Sequence, residues 1–306
     1  MDVPTLLSVP NVSEGRDQEV IAAVADAFTG EPRVRLLDVH TDADHHRSVF
    51  SLAAPAGVLA RALLAGARAA LEWIDVITRA SGAAAEIGQH PDVGALDVAP
   101  VVYLDPRYRG AACAEALVLA ELIGEQLEVP VFLYGELTGD EHTPARTRAE
   151  LRRGGVLGLA ERMSANAHPL RPDFGPQRLH RRAGATMIAA RPPLVAFNLQ
   201  LAAPATLADA RAIAALVREG GSHGLPGVRA IGVSLGGDVA QVSMNIERPF
   251  DVSLAMVIEA VGAHATVASA ELVGLAPAVA LDGFPQDLAM PGFDPARHLI
   301  ENALGS

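Results

Sequence analysis

The alternation of apolar and polar positions predicts the same order of elements twice along this chain. In the first half, residues 17–28 carry apolar side chains at helical spacing, and short apolar runs flank this segment on both sides. The predicted strands of this half are 5–9, 34–39, 48–53, 98–104 and 131–134, and the predicted helices are 17–28, 57–73 and 111–127. As far as the strand at 98–104, the order is βαββαβ.

The second half repeats this order from residue 194 onward. Its predicted strands are 186–190, 194–201, 228–235, 239–246 and 271–275, and its predicted helices are 207–219 and 253–264. Gly236, Gly237 and Asp238 between two of these strands favour a hairpin. Right-handed crossovers then make each half a small sheet with two helices on one face. We predict an α/β (α+β) fold with two ferredoxin-like βαββαβ subdomains and a ligand groove between them.

A stretch without regular patterning separates the two halves. Residues 143–175 are rich in charge, Gly and Pro, and contain short helical pieces at 145–153 and 157–163. We place the boundary within 172–182. This gives an N-terminal subdomain over 1–178 and a C-terminal subdomain over 179–306.

Charge and residue usage exclude several classes of function. The formal net charge of −12 argues against nucleic acid or an anionic membrane as a partner. All 24 basic residues are arginines, so the chain has no lysine for a pyridoxal phosphate Schiff base or a phosphate-binding loop. No G-x-G-x-x-G follows a predicted strand, which argues against a dinucleotide fold. The lone Cys113 cannot form an intramolecular disulfide, and its Ala-rich helical surroundings favour packing.

The sequence shows neither a membrane-spanning segment nor a secretory signal. No uncharged run reaches the roughly 18 residues that a spanning helix needs. The N-terminus also lacks the basic region and apolar stretch of a secretory signal. We therefore expect a cytoplasmic location.

His90 is the first candidate for chemistry. It lies between the turn formers Gly88 and Pro91, shortly before the buried strand at 98–104. An imidazole with an unperturbed pKa of about 6.5 can both take and give a proton at neutral pH. The spacing alone also fits an ordinary histidine in a surface loop.

A second group of histidines lies at residues 38–46. His40, His45 and His46 lie there together with three aspartates, Asp38, Asp42 and Asp44. Such side chains suit zinc or iron, but the segment lacks the helical spacing of a strong metal motif. We therefore favour a polar hairpin loop for this segment and expect no metal.

Eight segments, in order along the chain, carry a family resemblance. Residues 9–15 (VPNVSEG) resemble V-P-N-F-S-E-G, and residues 90–98 (HPDVGALDV) resemble H-P-R-x-G-A-x-D-V. The other segments are 36–39 with 44–49, 129–136, 172–176, 184–186 with 194–198, 240–245 and 271–275. Together they resemble the formiminotransferase family, which comprises glutamate formimidoyltransferases and the transferase half of formimidoyltransferase-cyclodeaminase.

The resemblance implies a transferase of histidine degradation. It implies transfer of a formimino group from N-formimino-L-glutamate to N5 of tetrahydrofolate. Tetrahydrofolate is then a co-substrate, and no metal, nucleotide or pyridoxal phosphate is required. A homodimer is also implied. The family's catalytic histidine falls on His90, which would take a proton from the attacking folate nitrogen and give one to the departing glutamate nitrogen.

The resemblance also assigns candidate site residues. The expected catalytic residues are His90, His40 and Asp38. The family's folate-binding segment falls on 175–184, and the expected cofactor-binding residues are Gly175, Pro176, Arg178, Arg181, Arg182, Gly184, Asn11 and Asn198. The three arginines could hold the carboxylates of the folate tail, or they could belong to a solvated linker.

Several positions around the expected site depart from the family pattern. His40 stands where the family has an aspartate, and Asp92 stands where it has an arginine. The family's basic turn R-H-K-G is replaced by an Ala-rich stretch, 81–85, in a longer connection over 75–90. We expect Asp92 to repel the donor's carboxylates. Two alternatives stay open: a folate- or anion-binding homologue without turnover, and a transferase with a different formimino or formyl donor.

Overall fold

The chain forms two compact units, Met1–Pro192 and Pro193–Ser306. The computed structural model describes residues 3–82, 91–139 and 144–305. Each unit contains one β-sheet with helices packed on it, which confirms the predicted α/β class. Within the described ranges, no helix combines the length and the apolar character needed to cross a bilayer.

The first unit follows the predicted order of elements. Its strands are β1 (Thr5–Ser8), β2 (Asn11–Val12), β3 (Arg35–Asp42), β4 (Arg47–Pro55), β5 (Leu96–Val102), β6 (Val131–Leu133) and β7 (Thr186–Arg191). Its helices are α1 (Gln18–Thr29), α2 (Leu59–Trp73), α3 (Val76–Ala80), α4 (Arg109–Gln126), α5 (Arg148–Arg152) and α6 (Gly155–Met163).

The first sheet contains a ferredoxin-like core. Strands β1 and β2 both pair with β4 and β5, so they act as one interrupted strand. Across the sheet the strands run β3, β4, β1 with β2, and β5, all antiparallel to their neighbours. This spatial order is the one expected for a βαββαβ unit with right-handed crossovers. Strands β7 and β6 extend the sheet beyond β5 in parallel.

Strand β7 belongs to the first unit, although the sequence pattern placed it with the second half. It pairs with β5 from Val98–Met187 onward and with β6 from Val131–Thr186 onward. A buried parallel strand is a continuous apolar run, and such a run does not indicate its partners. The expected boundary at 178/179 therefore falls inside the first unit, and the chain divides between Pro192 and Pro193.

Helices α1 and α2 pack closely on the first sheet. Asp17 caps α1 by accepting hydrogen bonds from two N–H groups of its first turn. Phe28, near the end of α1, lies against Gly66 of α2. A Cβ added at Gly66 would lie 2.1 Å from the Phe28 ring, so glycine permits this contact.

The two faces of β4 have different surroundings. Phe50 and Leu52 are fully buried in the core that β4 shares with α1 and α2. Because successive side chains of a strand alternate between faces, Val49 and Ser51 point away from these helices. The first sheet therefore has a face that α1 and α2 do not cover, and this face carries several candidate residues.

The second unit is a smaller antiparallel sheet with helices on one face. Its elements are β8 (Val195–Leu201), α7 (Leu207–Val217), β9 (Val228–Leu235), β10 (Val239–Ile246), α8 (Leu254–Gly262), β11 (Val267–Val273), α9 (Pro295–His298) and α10 (Ile300–Gly305). The strand order β11, β8, β10, β9 is again that of a ferredoxin-like unit. Strand β11 begins at Val267, four residues before its predicted start. The predicted turn at Gly236–Asp238 is present, with Gly237 at φ 76°.

Candidate active site

Asn11, Asp38 and His40 share the face of the first sheet that points away from α1 and α2. Val49 of β4 lies between Asn11 of β2 and His40 of β3, since it is the register partner of both. Asp38 is two residues from His40 on the same strand, and it is buried. Residues paired across strands lie on one face. The structure therefore brings these three predicted site residues to one face.

The turn after β2 is joined to the β3–β4 hairpin. Gly15 N–H donates to His46 Nδ1 at 3.2 Å, and a Glu14 carboxylate oxygen lies 3.3 Å from the same nitrogen. Burial lowers the pKa of His46, the Glu14 carboxylate opposes this, and the charges of Arg79 and Arg16 reinforce it. The accepting Nδ1 atom fits a neutral imidazole.

His90 lies outside the described residues, as do Gly88 and residues 83–85 of the Ala-rich stretch. The chain is described again from Pro91, immediately after the predicted catalytic histidine. The backbone that follows is held by the segment before β7. Ala95 N–H donates to Ala183 O at 2.9 Å, and Ala185 N–H donates to Val93 O at 2.8 Å.

Two glycines permit this contact between the His90 loop and the predicted folate segment. Gly94 pairs with Gly184, although 90 residues separate them. A Cβ at Gly94 would lie 1.7 Å from the Ala185 carbonyl oxygen. Gly184 has φ 68°, and a Cβ there would lie 2.3 Å from the Val93 carbonyl oxygen. The predicted site residue Gly184 is thus part of the contact that positions the chain after His90.

Asp92 is paired with an arginine from the longer connection. Arg79 of α3 donates to Asp92 Oδ2 at 2.5 Å and to the Ser13 carbonyl oxygen at 2.6 Å. The Arg79 and Asp92 side chains are 12% and 20% exposed. Burial raises the pKa of Asp92, while the Arg79 charge opposes that shift. The repulsion that we expected between Asp92 and the donor is therefore offset by Arg79.

Asp97 holds two further arginines and is completely buried. Its Oδ1 atom accepts from Val93 N–H at 2.9 Å, and its Oδ2 atom accepts from Arg47 at 3.1 Å and also from Arg152. Burial lowers the pKa of Arg47 to about 10, with the Arg152 charge acting in the same direction and Asp97 opposing. Arg47 therefore stays charged at neutral pH.

We call Arg47, Arg79, Arg152, Asp92 and Asp97 the arginine cluster. Three positive charges against two negative ones leave one net positive charge beside the loop that follows His90. Such an excess suits an anionic substrate. Sequence reasoning did not assign these roles, although Arg47 and Asp97 lie in segments that resemble the family and Arg79 lies in the connection that departs from it.

The predicted folate segment is a tight loop with arginines at its tip. Gly175 has φ 78°, and a Cβ there would lie 2.7 Å from the Val129 carbonyl oxygen, so this position requires glycine. Pro176 follows it at a half-buried position. Reciprocal backbone hydrogen bonds of 2.9 and 3.0 Å between His180 and Gly184 close the loop. The His180 Nδ1 atom accepts from Ala183 N–H at 3.0 Å.

The three arginines of this segment differ in their contacts. Arg182 donates to the Glu72 carbonyl oxygen at 3.2 Å and lies 3.6 Å from an Asp75 carboxylate oxygen. Arg178 and Arg181 are exposed, and neither makes an ion pair with any residue that the structure describes. Arg178 and Arg181 are therefore better placed than Arg182 to hold an anion.

Asn198 lies in the second unit. It is 4% exposed and points away from α7 and α8, since its neighbours Phe197 and Leu199 enter the helix-covered core. Its Nδ2 atom donates to Glu271 at 2.8 Å, and its Oδ1 atom accepts from Ser243 Oγ at 2.8 Å. The structure gives Asn198 a fixed orientation.

The histidine-rich segment forms a hairpin. Asp42 pairs with Arg47 across the β3–β4 ladder, and the Asp42 carboxylate accepts from the His45 backbone N–H at 2.9 Å. In the part of the chain that the structure describes, no three His, Cys, Asp or Glu side chains are grouped to hold a metal ion.

Comparison with known proteins identifies the family. The family model described as "Formiminotransferase domain, N-terminal subdomain" matches residues 5–191. The chain is 34% identical over 304 residues to the glutamate formimidoyltransferase of Streptococcus pyogenes serotype M1, covering 97% of both chains. It is 32% identical over 294 residues to the glutamate formimidoyltransferase of Thermoplasma acidophilum, covering 94% and 93%. The chain belongs to the formiminotransferase family.

Membership makes the chain an enzyme of formimino transfer. The formimidoyltransferase-cyclodeaminase of Mus musculus is 35% identical over 290 residues, which cover 89% of this chain and 50% of that protein. This formiminotransferase thus spans about half the length of its bifunctional relative. The match of the N-terminal subdomain over 5–191 ends within one residue of the division at Pro192.

Proposed function

We propose that this chain transfers a formimino group from N-formimino-L-glutamate to N5 of tetrahydrofolate. Two relatives across nearly the full chain are named glutamate formimidoyltransferases, which supports glutamate as the carrier of the group. The observation that carries the proposal is the backbone contact between Val93–Ala95 and Ala183–Ala185. It joins the chain that follows the predicted proton carrier, His90, to the segment that carries Arg178 and Arg181, so two segments that are distant in the sequence and both assigned to the site are in direct contact.

In this proposal His90 moves one proton during the transfer. The bond from N5 to the formimino carbon forms, and the bond from that carbon to the glutamate nitrogen breaks. His90 takes the proton from N5 as it attacks, then gives it to the departing glutamate nitrogen. The step requires no redox partner or metal ion, because one bond forms, one bond breaks and a single proton is moved.

Residues on the first sheet would hold the formimino group through its nitrogens. The Asp38 carboxylate is suited to accept hydrogen bonds from the amidinium nitrogens, where positive charge is present. His40 lies on the same face and can act with it. Asn11 adds an amide that can donate to or accept from substrate.

Charged groups outside this face would bind the carboxylates. The net positive charge of the arginine cluster favours the carboxylates of formiminoglutamate. Arg178 and Arg181 are exposed and suited to the carboxylates of the folate tail. A homodimer is also proposed, and light scattering after size-exclusion chromatography tests it.

The direct test combines turnover with binding. The purified chain is incubated with tetrahydrofolate and formiminoglutamate, and the absorbance of the product is followed; calorimetry measures tetrahydrofolate binding separately. Turnover supports the proposal. Binding without turnover favours the second candidate, a folate-binding homologue, which is motivated by His40 at the position of a family aspartate. The absence of both would reject the folate assignment.

A further inference from the structure

Arg162, near the end of α6, hydrogen-bonds to backbone carbonyl groups of the neighbouring helix α5. Its Nη1 atom donates to Glu150 O at 2.8 Å, and its Nη2 atom donates to Leu151 O at 2.5 Å and to Arg153 O at 3.1 Å. Its Nε atom donates to Gly158 O of its own helix at 3.1 Å. One guanidinium group therefore joins the end of α5 to α6.

The conformation of α5 depends on contacts from outside the helix. It contains five residues, and a helix of this length is not stable by itself in water. Its N-terminal end is held by the capping box of Thr147 and Glu150. The last carbonyl groups of a helix have no partner within it, and a positive charge beside them is favourable. Arg162 supplies both the donors and the charge at the C-terminal end.

Glycines allow α6 to fold back along α5. Gly154 and Gly155, between the two helices, have φ values of 77° and 61°, which favour glycine. A Cβ at Gly158 would lie 2.9 Å from the Arg153 carbonyl oxygen. The backbone between α5 and α6 therefore leaves the space in which the Arg162 side chain reaches the end of α5.

Helix α5 contributes Arg152 to the arginine cluster. Arg152 donates to the buried Asp97 carboxylate, and the other oxygen of that carboxylate accepts from Val93 N–H at 2.9 Å. Leu151, which is 2% exposed, belongs to the same apolar cluster as Val93. An ion pair and apolar packing thus join α5 to the backbone that follows His90.

We propose that Arg162 is a positioning residue for formimino transfer. It fixes α5 so that Arg152 and Asp97 keep the positive charge of the arginine cluster beside the backbone that follows His90. The inference rests on the proposed function, since that charge is assigned there to the carboxylates of formiminoglutamate. Arg162 touches no substrate and acts through Arg152. Its loss therefore affects the donor more than tetrahydrofolate.

Arg162→Gln removes the positive charge and most of the carbonyl contacts. Steady-state kinetics of the full chain are measured well below the melting temperature, with formiminoglutamate and then tetrahydrofolate as the varied substrate. We expect KM for formiminoglutamate to rise roughly tenfold or more, because small displacements of positioned groups are costly, and KM for tetrahydrofolate to stay unchanged. Arg162→Lys, which keeps a cation at the end of α5, should recover part of the loss.

A double-mutant cycle tests whether Arg162 acts through Arg152. Arg162→Gln with Arg152→Gln should have the same KM for formiminoglutamate as Arg152→Gln alone, because the group that Arg162 positions is already absent. Losses that multiply would overturn the inference. Arg153→Gln is the matched control, since it removes an equal charge from an exposed position beside α5. An equal rise of KM in this control would also overturn the inference.

The outcomes separate this inference from the proposed function. An active wild type whose KM for formiminoglutamate is unchanged by Arg162→Gln, with only the melting temperature lowered, would show a structural role and overturn the inference alone. A wild type without turnover would overturn the proposed function and the inference with it. If Arg162→Gln does not fold, Arg162→Lys, alone and with Arg152→Gln, provides the same comparison.

Discussion

Arg79 and Asp92 form an ion pair of 2.5 Å beside the segment that departs most from the family pattern. Arg79 comes from the longer connection, and Asp92 replaces the family's arginine two residues after His90. The same guanidinium donates to the Ser13 carbonyl oxygen, and Ser13 Oγ donates to the Gly94 carbonyl oxygen at 2.7 Å. The charge reversal is therefore compensated within the chain, and the pair fixes the backbone after His90.

The first prediction concerns this pair. Asp92→Arg should lower kcat/KM for formiminoglutamate by roughly tenfold or more, since two guanidinium groups would then face each other with no carboxylate between them. The exchanged pair, Arg79→Asp with Asp92→Arg, should recover part of the loss. Steady-state kinetics with formiminoglutamate measures both. Improved use of this donor by Asp92→Arg alone would restore the idea that Asp92 repels it.

The second prediction concerns the buried carboxylate of the arginine cluster. Asp97→Asn leaves Arg47 and Arg152 in a buried site without their counter-charge. We expect a loss of about 3 kcal/mol in the free energy of unfolding. Denaturant titration measures it, and Arg61→Ala, which breaks an exposed pair with Glu31, should change little. A stable Asp97→Asn would mean that the two arginines have other anionic partners.

Local patterns predicted the elements well because the relevant information is local. The helical spacing around Val24 and the turn at Gly237 act over a few residues, and both are found as expected. Pairings between segments that are distant in the sequence cannot be predicted from local spacing. The strand at 186–191 has the same apolar character whichever sheet it joins.

The candidate site was predictable only where a resemblance supplied it. The resemblance singled out Asp38 and His40, and the structure places them on one face of the first sheet. The partners of Asp97 could not be found from spacing, because Arg47 and Arg152 lie 50 and 55 residues from it.

The third prediction concerns the arginines at the tip of the folate segment. Arg178→Ala with Arg181→Ala should weaken tetrahydrofolate binding by about tenfold and reduce its dependence on salt, because screened charge interactions are removed. Adding Arg182→Ala should also lower the melting temperature, since Arg182 contacts the Glu72 carbonyl. Calorimetry at two salt concentrations measures the binding. Arg68→Ala, an exposed arginine of α2, is the control, and unchanged affinity in the double variant would reject the assignment.

The fourth prediction concerns pH and His46. The pKa of His46 is lowered in the folded state, so the unfolded chain binds the proton more readily. Its contribution to stability is complete above the unfolded value of about 6.5 and is lost as pH falls through the folded pKa. His46→Asn keeps an acceptor for Gly15 N–H without a titrating group. The urea midpoint of the wild type should fall more than that of the variant between pH 7.5 and 5; parallel curves would contradict this.

The last prediction concerns His90. If it moves the proton between N5 and the glutamate nitrogen, His90→Ala should lower turnover by roughly 10²–10⁴ while leaving tetrahydrofolate affinity nearly unchanged. Calorimetry and the absorbance assay separate these two effects. His223→Ala is the matched control, because His223 lies in the second unit, is exposed and contacts His264 at 3.0 Å. A His90→Ala variant with the wild-type rate would show that His90 is an ordinary loop residue, and the proton would then have to pass through another group on the face that carries Asp38 and His40.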